Sequence, residues 1–153
     1  MARDAALIRD IVHLNINVTD IDRSIAFYER LGFQTMHVFG DEPTDDTSEG
    51  MDFGDGHMRG AVITLGEHPR CWTKIELIQW VRPATQPQPE RSTIHAGVSR
   101  IALRCKNLLS FYEELKADGI EFESEPEEID IVGAKRFVLF RDPDGTLLEL
   151  IEF

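Results

Sequence analysis

Two stretches of the chain alternate apolar and polar residues with the period of a half-buried strand. The first runs Ile11-Val12-His13-Leu14-Asn15-Ile16-Asn17-Val18 and the second Val98-Ser99-Arg100-Ile101-Ala102-Leu103-Arg104-Cys105. Each leads into a polar cap candidate, Asp20 or Asn107, then a helical pattern that stops at a glycine, Gly32 or Gly119. A fixed offset of 87 residues superposes them, setting His13 on Arg100, Val18 on Cys105 and Gly32 on Gly119. A second repeat, Lys74-Ile75-Glu76-Leu77-Ile78 against Leu147-Leu148-Glu149-Leu150-Ile151, holds at an offset of 73. The first copy therefore carries about 14 extra residues, and the aperiodic Gly40 to Gly60 segment is where they fall.

The pattern predicts strands near 11–18, 33–39, 60–66 and 72–81, and again near 98–105, 120–124, 134–141 and 146–152. Gly66-Glu67-His68-Pro69 and Asp142-Pro143-Asp144-Gly145 carry turn chemistry between the later strands. The expected fold class is α+β: two tandem βαβββ modules, antiparallel-leaning, forming a partly open, cleft-enclosing β-sheet assembly. Module 1 covers about 10–81, a Pro/Gln linker about 82–96 and module 2 about 97–153, within one domain of 1–153.

Side-chain parity sorts the strands into two faces. Val12, Leu14, Ile16 and Val18 form the set expected against the helix, which leaves His13, Asn15 and Asn17 on the open side. In the second copy Ile101, Leu103 and Cys105 pack, leaving Arg100, Ala102 and Arg104 open. Glu76 and Glu149 stand at equivalent places inside otherwise apolar strands, where a carboxylate is costly to desolvate unless paired. Lys74 shares the parity of Glu76, and so does Trp80, a core residue or a pocket-lining one.

Composition narrows the function classes. The 153 residues carry 28 acids against 16 bases, a net charge of −12 that disfavours nucleic acid or an anionic membrane as partner. That acidity is local: residues 40–55 contribute −7 and residues 113–130 contribute −8, so the rest of the chain carries +3 and leaves room for an anionic ligand. No apolar run approaches a membrane span, no signal-peptide core opens the chain, and Cys71 and Cys105 read as small buried hydrophobes. A cytoplasmic location is the expectation. The acidic loop lacks calcium-ligand spacing. His37, His57 and His68 have no partner pattern and read as surface or turn residues.

The first-strand His13, the Asp22-Arg23-Ser24-Ile25-Ala26-Phe27-Tyr28-Glu29-Arg30-Leu31-Gly32-Phe33 helix and the Asp142 to Ile151 ending together resemble the vicinal oxygen chelate superfamily, over about Ile11 to Phe153. That superfamily includes glyoxalase I, bleomycin-resistance proteins and extradiol dioxygenases. The resemblance implies a divalent metal held by two side chains from each module, with His13, Glu76 and Glu149 at three of the four positions. At the remaining position, normally a histidine, this chain has Arg100, which has no lone pair to offer a metal. His95 lies about 16 Å away along an extended strand and at the opposite parity. Two arrangements follow. Either Arg100 pairs with Glu76 and Glu149 and no cofactor is held, or a divalent metal sits on His13, Glu76 and Glu149 with water.

By the same resemblance, the expected activity is that of a lyase or isomerase of glyoxalase I type. Glu76 or Glu149 would abstract a proton beside a carbonyl, and Arg100 or a metal would stabilise the enediolate. Asn15, Asn17, Lys74, Trp80 and Arg104 are the candidate ligand contacts. The alternatives are a metal-free, ligand-sequestering binding protein and a structural or regulatory domain. The expected partners are a small molecule, anionic by the open-face bases, and a second copy of the chain in a homodimer.

Overall fold

The computed structural model describes residues 11–41, 56–66, 73–87 and 96–153. His68, Cys71, Trp72, His95, most of the acidic loop and all but Gly66 of the first expected turn lie outside the described residues. The chain divides into two compact units, Met1–Thr85 and Gln86–Phe153.

Unit 1 comprises β1 (His13–Asn17), α1 (Ile21–Arg30), β2 (Phe33–Phe39), β3 (His57–Leu65) and β4 (Lys74–Arg82), with sheet order β1-β4-β3-β2. The β1–β4 pair is parallel and the others antiparallel, so the sheet is mixed where the pattern suggested antiparallel pairing. The cause is α1, which carries the chain across the sheet and lets β1 join the far side of β4 in the same direction. β1 is shorter than expected, and Val12 lies outside it at 62% exposed.

Helix α1 starts where its orphan amides are answered twice. The Asp20 side chain accepts from the Arg23 N–H at 3.1 Å, and Gln79 Oε1 on β4 accepts from the Ile21 N–H at 3.0 Å. Its buried residues Ile21, Ser24, Phe27 and Tyr28 recur at helical spacing and face the sheet. Tyr28 lies edge-on to Phe27 at 5.3 Å and to Phe33 at 5.4 Å. Arg59 on β3 ties this side together, with Nε 2.8 Å from Asp41 and Nη1 3.2 Å from Asp22 of α1. Arg59 and Gln79 therefore mark the helix-side face of the sheet, and Glu76 belongs to the face away from α1.

Unit 2 repeats the plan with β5 (Ile101–Cys105), α2 (Leu108–Ala117), β6 (Glu127–Ile131), β7 (Ala134–Arg141) and β8 (Leu147–Glu152), in order β5-β8-β7-β6. Again the first and last strands run parallel. The strand expected at 120–124 is not there; only Phe122 bridges Phe140, and the paired strand is β6 beyond Pro126. The missing amide at Pro126 is one reason the ladder begins after it. A two-residue turn, Val132-Gly133, fixes β6 on β7, both with positive φ (52° and 81°).

Asn107 occupies the cap position of α2 but makes no side-chain capping bond. It sits in the left-handed region at φ 52°, and its N–H donates to Glu152 Oε1 at 3.2 Å. The Asp142–Gly145 turn forms as its chemistry predicts. The buried Asp142 Oδ1 accepts from the Asp144 and Thr146 amides at 3.0 and 2.7 Å, which aims β8 and hence Glu149.

Candidate functional site

In unit 1 the face away from α1 can be built row by row from the strand register. One row holds His13 and Lys74; the next holds Asn15, Glu76, Val62 and His37; the third holds Asn17, Ile78, Gly60 and Phe39. His13 Nδ1 lies 3.8 Å from Glu76 Oε1, too far for a hydrogen bond, with side chains 46% and 25% exposed. Glu76 thus keeps water access and a free lone pair, with Lys74 two residues away on the same face. Asn15 and Asn17 are exposed beside it. Trp80, half-buried, continues this face opposite Met58.

Simple alternation from Phe33 and Thr35 would turn His37 toward α1, and the histidine had no partner pattern. A bulge between Thr35 and His37 inverts that parity, pairing His37 with Val62 and Phe39 with Gly60. Thr35 still faces the helix, where its hydroxyl donates to Glu29 Oε1 at 2.9 Å. No sequence signal marks the inversion except the absence of strict alternation through Met36-His37-Val38. His57, by contrast, is structural: its Nε2 donates to the Gly40 carbonyl at 2.9 Å.

In unit 2 the corresponding face holds Arg100 just before β5, Ala102 and Arg104 along it, and Glu149 on β8 opposite Ala102. Arg100 Nε reaches Glu149 Oε2 at 2.6 Å, with side chains 49% and 7% exposed. This is a short charge-assisted contact to a nearly inaccessible carboxylate. Arg104 stands further along with its guanidinium 4.1 Å above the Phe153 ring, a cation–π contact that holds the charge in place. On the helix side, burial pushes the Cys105 thiol up, and the nearby Glu152 carboxylate adds to the rise, so Cys105 is a poor nucleophile.

The donor chemistry does not fit a divalent metal. Glu149 is claimed by a permanent cation at the place where a third ligand would stand, and a dication there would face the guanidinium. Within neither unit do three His, Cys, Asp or Glu side chains come together among the described residues. Likewise, among the described residues no helix is long and apolar enough to cross a membrane.

Comparison with known proteins agrees with this architecture. A Bacillus subtilis protein, YwkD, whose activity is uncharacterized, is 32% identical over 149 residues, covering 95% of this chain and 98% of its own. A probable lactoylglutathione lyase of Vibrio parahaemolyticus is 26% identical over 143 residues, covering 93% and 89%. Among solved structures, a glyoxalase family protein from Bacillus cereus superposes with a TM-score of 0.74 at 21% identity, over 99% of this chain and 97% of that one. The model of the Glyoxalase/Bleomycin resistance protein/Dioxygenase superfamily matches residues 10–150, nearly the whole repeat, and the chain belongs to that superfamily.

Proposed function

We propose that the chain is a glyoxalase-like lyase or isomerase in which Glu76 removes a proton from carbon beside a carbonyl. The observation that carries this assignment is the contrast between the two carboxylates. Glu149 is buried against Arg100 at 2.6 Å, whereas Glu76 is a quarter exposed with the His13 ring at 3.8 Å. A base must be open to the substrate and not already held by a cation, and of the two carboxylates Glu76 meets that condition better. Lys74, on the same face, supplies positive charge for the enolate that forms as the C–H bond breaks. Asn15 and Asn17 offer hydrogen bonds to orient the ligand, and the family relationship to a probable lactoylglutathione lyase favours this reaction class.

The test is solvent deuterium exchange at the carbon beside the carbonyl, followed by proton NMR, with hemithioacetals and α-keto acids as probes. Exchange that disappears in Glu76→Gln supports the assignment; the same exchange rate in both proteins overturns it. Metal analysis of protein purified without chelator adds a second arm. Stoichiometric metal in the unmodified chain would contradict the fit deduced from Arg100, and metal gained only by Arg100→His would support it.

A second reading, sequestration of an anionic small molecule without reaction, is favoured by Arg104, whose charge is fixed over Phe153 on a face whose carboxylate is already neutralised. Tight binding without exchange in the unmodified protein would select it.

A further inference from the structure

The bulge in β2 brings two rings to the Glu76 face, and one of them lies where a neighbouring side chain should be. His37 and Phe39 stack with centroids 6.0 Å apart and planes 27° from parallel. Phe39 pairs with Gly60 on β3, and a Cβ built on Gly60 would meet the Phe39 ring atoms at 2.1 Å (Cζ) and 2.5 Å (Cε2). The ring therefore does not stand upright on its own strand. Its tip leans over β3, into the space that only glycine leaves empty. Gly60 in turn pairs with Ile78, two residues from Glu76 on the same face of β4. His37 stands in the row of Glu76, separated from it by Val62 alone, about 10 Å across two strand spacings.

We propose that Phe39, flanked by the stacked His37, is the specificity platform of the Glu76 face and selects ligands that carry a planar unsaturated group on the carbon that loses its proton beside the carbonyl. The inference rests on the assignment of Glu76 as the site of proton transfer and adds the substrate class to it. An aromatic ring on a ligand face rewards a flat partner in offset stacking and gives an alkyl group only its smaller buried area. His37 is exposed on β2, two strands from Glu76, where its ring nitrogens can meet a polar substituent at the distal end of such a ligand. The bulge, the glycine and the two rings act together: without the bulge both rings would turn to the other face, and with a side chain at position 60 the Phe39 ring could not lean over β3.

The test uses phenylpyruvate and 2-oxobutanoate, two enolisable α-keto acids that differ in the planar group. Dissociation constants are measured by titration calorimetry on the full chain, Phe39→Leu and Gly60→Ala, with melting curves confirming that each variant is folded. The unmodified protein is expected to bind phenylpyruvate roughly threefold to tenfold more tightly than 2-oxobutanoate. That ratio should fall toward one in both variants, because leucine removes the π face and alanine lifts the ring from the strand. Gly60→Ala keeps Phe39 itself, so it serves if Phe39→Leu fails to fold. Equal affinities in the unmodified protein, absence of phenylpyruvate binding, or a ratio that survives in the folded variants would each overturn the platform. Deuterium exchange on the same probes separates this inference from its premise. A platform preference without Glu76-dependent exchange retires the proton-transfer reading alone, and exchange without preference retires the platform alone.

Discussion

Glu76 and Glu149 arise from the same position of a repeated unit, yet the two units have put them in opposite electrostatic states. In unit 2 the carboxylate is 7% exposed, and the residue two strand positions before its partner on β5, Arg100, closes on it at 2.6 Å. In unit 1 the repeat equivalent of Arg100 is His13, shorter and only conditionally charged, and it stops 3.8 Å from a carboxylate 25% exposed. The different residue at one repeated position thus separates a close ion pair from a carboxylate that keeps water access. The proposed proton transfer is accordingly assigned to the second. A carboxylate buried against a guanidinium holds local geometry and has little capacity left for a ligand.

The largest effect expected from this contrast is on turnover. Glu76→Gln should lower the rate of exchange beside the carbonyl by about 10² to 10⁴-fold, the usual contribution of a positioned general base. Its effect on unfolding in urea should be below about 1 kcal/mol, since this partly exposed carboxylate gives up no short bond. If Glu76→Gln instead unfolds the protein while Glu149→Gln removes exchange, the roles of the two carboxylates are reversed.

Stability should respond at the other unit. Arg100→Met leaves Glu149 without its cation and is expected to cost about 1–3 kcal/mol in a urea titration. The figure lies below that for a wholly enclosed pair because the Arg100 side chain is 49% exposed and water can approach from its side. Adding Glu149→Leu to Arg100→Met should recover most of the loss, because the uncompensated charge is then gone. Failure of the double substitution to recover stability would mean that the Arg100 stem, not its charge, holds the strand.

The same comparison explains what the sequence could and could not disclose. The exposed set His13, Asn15 and Asn17 was readable because strict alternation survives through β1, and the carboxylates at 76 and 149 because each interrupts the otherwise apolar β4 or β8. The Asp142–Gly145 turn was readable because its chemistry is local: one carboxylate accepting two amides just ahead of it. β6 was hidden for the converse reason. Phe122, with polar neighbours at Glu121 and Glu123, looks like the start of a strand, while the real hairpin turns at Val132, a β-branched residue at φ 52° where Asn or Asp would have announced it. His37 was hidden because parity counts residues, and a bulge adds one without leaving a mark in composition.

The helix starts carry the smallest difference between the units and allow it to be tested cleanly. Asp20 and Asn107 stand at matching positions and both belong to the residue types that cap helices. Only Asp20 does so, accepting from the Arg23 amide at 3.1 Å, whereas Asn107 makes no side-chain capping bond and is held at φ 52°. Asparagine at 107 is therefore there for its tolerance of the left-handed region, and its side-chain oxygen is incidental to the helix. Serine distinguishes the two causes, because it keeps a capping oxygen and has no particular ease at positive φ. Asp20→Ser should leave stability within about 0.5 kcal/mol while Asp20→Ala costs about 1 kcal/mol. At 107 the order changes: serine and alanine should each cost about 1 kcal/mol, and glycine should cost less than either because it alone enters that region without strain. Thermal or urea melts of the five variants measure both series. Rescue of position 107 by serine would show that the two starts are equivalent after all and that the repeat has kept its capping logic in both units.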